Sequence, residues 1–188
     1  MQALVCYYFA MSLDGFIARE DGTVDWLDPF NGELPTPYDY ARFYETVDAV
    51  VMGRRTCEFV KAAGDYPYPG KPGIVATHQL GYRPPAAELV VVTDHVAQAV
   101  RTLKAAHSRR VWLVGGGVLA AEMLDADVLD ELIITIVPVT LGSGVPWMGR
   151  HVRDRRWRIR DHHAVESGIV QVAYDLVRCS RPGSDQAQ

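Results

Sequence analysis

Six stretches of this chain are unbroken apolar, largely β-branched runs: Leu4 to Ala10, Ala49 to Met52, Ile74 to Thr77, Leu89 to Thr93, Val111 to Val114 and Leu132 to Val139. Each is stopped by glycine, proline or a polar turn. A strand with one face in water alternates apolar and polar residues, whereas one that is apolar throughout is covered on both faces. Helices must then lie above and below the sheet. Candidate helices sit between the runs, at Tyr38 to Val47, Thr56 to Ala63, Val96 to Ala106 and Val118 to Leu124, with Asp94 placed to cap the third. The last quarter differs: Arg156 to Arg160 alternates with period two, Ser167-Gly168 makes a turn, and a second run covers Ile169 to Val177. That pattern predicts an antiparallel hairpin. The expected architecture is α/β: a mixed eight-stranded sheet with a large parallel component, helices on both faces and a C-terminal hairpin.

At 188 residues the chain suits one domain, since domains average about 150 residues. Residues 1–179 are expected to form it, and the polar stretch 180–188 to be a mobile tail. Segment 20–38 is acidic, rich in breakers and aperiodic, so it reads as a long loop, a place where function often lies.

Acidic side chains outnumber basic ones 23 to 19, so no positive field draws in a polyanion, and nucleic acid is not an expected partner. Six arginines between positions 150 and 160 fall on the polar face of an alternating strand and read as solvated. The three cysteines are odd in number and lack C-x-x-C spacing, which fits a reducing cytoplasm better than a disulfide or zinc framework. His162 and His163 are adjacent on a strand and point to opposite faces, so no metal site is expected there. The apolar opening is too short to span a membrane and lacks a basic leader, so it reads as a buried strand.

Two strands run directly into glycine and then into a helix. After Val111 to Val114 come Gly115, Gly116 and Gly117; after Val51 and Met52 come Gly53, Arg54, Arg55 and Thr56. Such turns expose helix N-terminal amides that can hold an anion, and arginine forks suit phosphate oxygens. Gly115, Gly117 and Ala120 formally match G-x-G-x-x-A. That fingerprint belongs in a first βαβ unit with an acid about 20 residues on, and neither condition is met. Tight helix–sheet packing would also explain the glycines, and solvated side chains the arginines. Together, two such turns at one sheet edge suggest a dinucleotide.

A third segment, Ser12-Leu13-Asp14-Gly15-Phe16-Ile17-Ala18 with Asp25-Trp26 downstream, completes a pattern. With the helix at Asp39 to Phe43, the M-G-R-R-T turn, the V-G-G-G turn and the stretch from Asp130-Glu131-Leu132 to Pro138 through Gly144, the chain resembles the dihydrofolate reductase superfamily. The branch it resembles is the reductase domain of bacterial riboflavin biosynthesis, over roughly residues 3–178.

The resemblance implies an NADPH-dependent reductase that transfers hydride to a small heterocycle: a pterin, a dihydrofolate-like compound or an aminopyrimidine. It implies that Ala10 and Ile17 line the nicotinamide, that Gly53, Arg54, Arg55 and Thr56 grip phosphates, and that Thr77 and His78 lie near the 2′-phosphate. Gly115, Gly116 and Gly117, leading into Val118 and Leu119, match the pyrophosphate turn, where family members carry a cis Gly-Gly peptide. Asp39 matches the carboxylate that binds the substrate and assists its protonation, Phe43 an aromatic one helical turn on, Thr135 a threonine behind that carboxylate, and Trp26 a tryptophan that holds a water. The spacing of positions 39 and 43 independently puts a carboxylate and a ring on one helical face, though Asp39 would also serve as a first-turn acid and Trp26 as a packed indole.

Two departures narrow the substrate. Folate-reducing members carry a rim arginine where this chain has Lys71, which cannot form the same fork, and often an arginine and a tyrosine where it has Val118-Leu119-Ala120. Riboflavin-pathway members follow the arginine turn with D-x-P-x-L, where this chain reads Cys57-Glu58-Phe59-Val60-Lys61. The aminouracil reductase of that pathway is the alternative enzyme, and an NADPH-binding module without turnover is the alternative of another class. A homodimer is expected from the hairpin and the riboflavin-branch resemblance.

Overall fold

The structure is a computed structural model and describes residues 2–30, 36–151 and 153–178. The proposed tail at 180–188 lies outside the described residues.

The chain order is β1 (Leu4–Ser12), β2 (Phe16–Ala18), a 3₁₀ turn (Asp25–Phe30), α1 (Tyr40–Glu45), β3 (Val47–Gly53), α2 (Arg54–Ala62), β4 (Gly73–Ala76), β5 (Leu89–Val92), α3 (Val96–Ala105), β6 (Arg110–Gly115), α4 (Gly117–Asp125), β7 (Glu131–Val137), β8 (Val145–Pro146), β9 (Trp157–Ala164) and β10 (Val170–Leu176). Eight strands form the main sheet in the order β5-β4-β3-β6-β1-β7-β10-β9. Six of them, from β5 to β7, run parallel; β10 and β9 continue antiparallel as the predicted hairpin. The mixed α/β sheet is therefore the one the apolar runs predict.

Helices cover both faces. Val5, Tyr7 and Phe9 of β1 pack with Val96 and Val100 of α3 and Leu119, Ala120 and Met123 of α4. Cys6, on the other face, shares a core with Phe43 of α1, Cys57 of α2, Met52 and Trp112. Period-two alternation along a strand buried on both sides thus feeds two separate cores.

Four local expectations change. Helix α1 ends at Glu45, with Thr46 as its C-cap, rather than running to Val47, because fully buried Val47 opens β3 and pairs with Arg110 of β6. The N-cap of α3 is His95, at φ 53°, and no side chain caps that helix; Asp94 stands outside it. Two short strands, β2 and β8, form a separate antiparallel pair. The 3₁₀ turn breaks up the loop expected over 20–38, of which residues 31–35 lie outside the described residues.

At the amino end of the parallel strands, buried Glu131 binds Arg110 (Oε2–Nε 2.8 Å) and Arg160. Asp130 there takes Lys104 at 2.6 Å, Arg178 at 2.5 Å and the Val5 amide at 2.8 Å. These charges anchor the strand starts and leave the opposite, carboxyl edge for chemistry.

Candidate coenzyme and substrate site

Open parallel sheets bind ligands beyond the carboxyl ends of their strands. Strands β3 and β6 are neighbours, and Met52 pairs with Gly115, so their two glycine turns emerge side by side. A Cβ built on Gly116 would stand 3.9 Å from the Gly53 nitrogen, and one on Gly53 would meet only Gly115 O, at 4.0 Å. No side chain caps α2 at Gly53 or α4 at Gly116. Both nine-residue helices therefore present N-terminal amides without a capping acceptor at one place, which is the donor set a pyrophosphate requires. Gly116 holds φ 110°, a conformation that favours glycine. The cis peptide implied at this turn is not found: among the described residues there are no cis bonds, and Gly116 makes the turn with a trans backbone.

Around the corner, Thr56 packs against Gly115, where an added Cβ would meet its Cγ2 and Oγ1 at 3.1 Å. Arg54 is bound to Glu58 one turn on, while Arg55 is exposed. Thr77 continues β4, its amide donating to Val92 O and its hydroxyl accepting from the Gln79 amide; His78 beside it is exposed. Val118 is 80% exposed at the first turn of α4, whereas Leu119 is buried in the core and offers only backbone to the corner.

The segment after β7 closes one flank. Asp14 accepts hydrogen bonds from Ser12 Oγ (2.6 Å) and from the amides of Leu141 (3.1 Å) and Gly142 (2.7 Å), which hold its carboxyl down to about 2. This clasp ties the β1–β2 turn to the start of β8. Trp147 follows: its amide donates to Gly15 O, its carbonyl accepts from the Tyr7 hydroxyl, and its ring stacks on Phe9 at 5.4 Å. The Gly149 amide then reaches Gly117 O at 2.8 Å. Ile17, on β2, is half-buried beside this strap.

On the substrate side, Ala10 of β1 lies in register with Thr135 of β7, so a residue expected at the nicotinamide adjoins one expected at the substrate. The Asp39 carboxylate caps α1, accepting from the Ala41 amide at 3.0 Å and the Arg42 amide at 3.2 Å, and pairs with Arg42. Thr135 does not bond Asp39; its hydroxyl accepts from Gln171 Nε2 at 3.0 Å. Gln171 is fully buried, donates to Tyr38 O at 3.0 Å and accepts from Thr36 Oγ1 at 2.5 Å. The Tyr8 hydroxyl also donates to Tyr38 O; burial pushes that phenol up to about 12, so it stays a donor. Strands β1 and β10 thereby pin the residues just before Asp39, with Thr135 of β7 bracing the glutamine. Sequence reading missed Gln171, and a lone glutamine in an apolar strand was the available signal.

Phe43 is buried, stacked on Tyr8 at 4.1 Å and edge-on to Trp112 at 5.4 Å. Trp26 is 5% exposed and its indole nitrogen is buried with no acceptor among the described residues. Lys71 donates to Val47 O at 2.6 Å and lies 4.8 Å over the Tyr44 ring, so the rim lysine is committed to its own chain. Among the described residues no three metal-binding side chains cluster and no helix is long and apolar enough to cross a membrane.

Comparisons with known proteins agree with this geometry. The family model described as RibD C-terminal domain matches residues 3–171. An uncharacterized Bacillus subtilis protein, YwjB, is 38% identical over 163 residues, covering 85% of this chain and 91% of that one. A putative riboflavin biosynthesis protein from Shewanella sp. PV-4 superposes with TM-score 0.81 at 29% identity, covering 95% of this chain and all of the other. Dihydrofolate reductase from Enterococcus faecalis, solved in complex with NADP(H) and RAB-propyl, superposes with TM-score 0.64 at 18% identity, covering 94% of this chain and 98% of that one. With a matching family model over most of its length and a dihydrofolate reductase-like sheet carrying the paired glycine turns, this chain belongs to the RibD C-terminal domain family.

Proposed function

We propose that this protein is a reductase that takes hydride from NADPH and delivers it to a small heterocycle of pterin, dihydrofolate-like or aminopyrimidine type. The observation that carries the reading is the pair of uncapped helix starts meeting at Gly53 and Gly116. Their amides would hold the pyrophosphate, Arg54, Arg55, Thr77 and His78 would meet the 2′-phosphate, and Ala10 and Ile17 would flank the nicotinamide. The coenzyme supplies the hydride. Asp39, held on the sheet through Tyr38 and Gln171, would orient the acceptor and pass the proton that must follow, with Trp26 holding a water and Phe43 and Thr135 shaping the pocket.

Family membership and the likeness to a riboflavin biosynthesis protein favour a second reading, the 5-amino-6-(5-phosphoribosylamino)uracil reductase of that pathway. The commitment of Lys71 to Val47 O speaks against an acceptor with a folate-like glutamate tail.

Fluorescence-quenching titrations with NADPH and NADH, on wild type and Arg54→Ala, test the coenzyme assignment; the variant should lose preference for NADPH by about tenfold. A screen of dihydropterins, dihydrofolate and aminouracils for NADPH oxidation then tests turnover. NADPH binding without oxidation of any acceptor would mark a binding module instead. Asp39→Asn should slow turnover at least tenfold while leaving NADPH affinity within twofold; equal losses in both would remove Asp39 from the proton role.

A further inference from the structure

Arg54 opens α2 at the carboxyl end of β3, and its Nη1 lies 2.7 and 2.8 Å from the two carboxylate oxygens of Glu58, one helical turn on. Both oxygens converge on that single nitrogen, and among the described residues Nε and Nη2 of Arg54 meet no acceptor. The side chains are 34% and 46% exposed, so the pair stands in water and contributes little to holding the fold. Gly53, just before Arg54, pairs in parallel register with Ala76 of β4, just before Thr77. The pair thus sits beside the loop that carries Thr77 and His78, the other candidates for contact with a 2′-phosphate.

A phosphate approaching the free edge of Arg54 meets a guanidinium whose charge is already offset by a carboxylate less than 3 Å away. A coenzyme with a plain 2′-hydroxyl meets something different, since a carboxylate accepts a hydrogen bond from a ribose hydroxyl. The two side chains therefore pull selectivity in opposite directions. We propose that Glu58 is a coenzyme-selectivity residue, which restrains the preference for NADPH over NADH by neutralising Arg54. This rests on the reading of Arg54 as a phosphate ligand in the proposed reductase.

The test is titration of NADPH and NADH, followed by quenching of protein fluorescence, into wild type, Glu58→Gln, Glu58→Asp, Arg54→Ala and the Arg54→Ala/Glu58→Gln double variant. Glu58→Gln should tighten NADPH about three- to tenfold, leave NADH unchanged or weaker, and lose part of the gain as salt is raised. Glu58→Asp, which keeps the charge, should stay near wild type. In the Arg54→Ala background the glutamine substitution should do nothing for NADPH. Unchanged or weaker NADPH binding by Glu58→Gln overturns the proposal, and so does a gain that survives loss of Arg54, because Glu58 would then act on the phosphate directly. Failure of wild type to bind either coenzyme is a separate result: it overturns the reductase reading itself and this inference with it.

Discussion

The side-chain amide of Gln171 donates to the Thr135 hydroxyl at 3.0 Å from inside the sheet, where neither residue is more than 7% exposed. The same nitrogen reaches Tyr38 O, and the amide oxygen takes the Thr36 hydroxyl. A buried polar group left unpaired costs about 1–3 kcal/mol. Gln171→Leu strands the Thr36 hydroxyl and weakens the hold on Tyr38, so urea unfolding should show a loss of about 2–4 kcal/mol. Thr135→Val should cost less, since Gln171 keeps two of its three partners.

The two glycine corners respond oppositely to alanine. At Gly117 a Cβ would fall 2.5 Å from Pro146 O and 3.1 Å from the Trp147 backbone, so Gly117→Ala must push the strap outward. A loss of about 1–3 kcal/mol in thermal or urea unfolding is expected, against which the gain in helix propensity is small. At Gly53, with φ −75° and nothing nearer than 4.0 Å, the methyl group fits the free protein. Gly53→Ala should change stability by no more than about 0.5 kcal/mol yet weaken NADPH about tenfold or more, because the methyl would occupy the approach proposed for the coenzyme.

Acid sensitivity should originate at the amino end of the sheet. Burial alone would raise the Glu131 carboxyl, but Arg110 and Arg160 outweigh burial and hold it below its ordinary value of 4.5. A group depressed in the folded state stabilises fully above its unfolded value and loses that contribution as pH falls through its folded one. Stability measured by urea unfolding should therefore fall below about pH 4.5, and Glu131→Gln should flatten the acid limb. The variant should cost about 2–4 kcal/mol at neutral pH, moderated because both arginines keep part of their side chains in water. The Asp14 clasp should outlast this loss, since its carboxyl stays ionised down to about pH 2.

The runs around Val5, Val51, Val75, Leu113 and Ile133 were legible as doubly covered strands because burial on both faces forbids polar residues at every position; the equally apolar run at Leu89–Val92 is instead the edge strand β5, with Val90 62% exposed. The paired glycine turns were legible because a strand that turns sharply into a helix needs glycine locally. The Arg54–Glu58 pair was also within reach, through its spacing of four in a helix, but spacing alone does not say that the two side chains close on each other. The short β2–β8 pair left no sequence signal, since three residues carry no period. Nor did the change from helix to strand at Thr46-Val47, where tertiary pairing with β6 overrode a helical pattern.

Local chemistry by itself determined which segments become strand, helix or glycine corner, because burial pattern and backbone conformation are written within a few residues. Only the tertiary structure decided that β3 and β6 are neighbours, so that Gly53 and Gly116 meet at one corner, and that Gln171, some 130 residues from Tyr38, holds the residue next to Asp39. The physical reason is that strand order and buried hydrogen-bond partners are set by how distant segments share one core, and no local window of sequence contains both halves of such a contact.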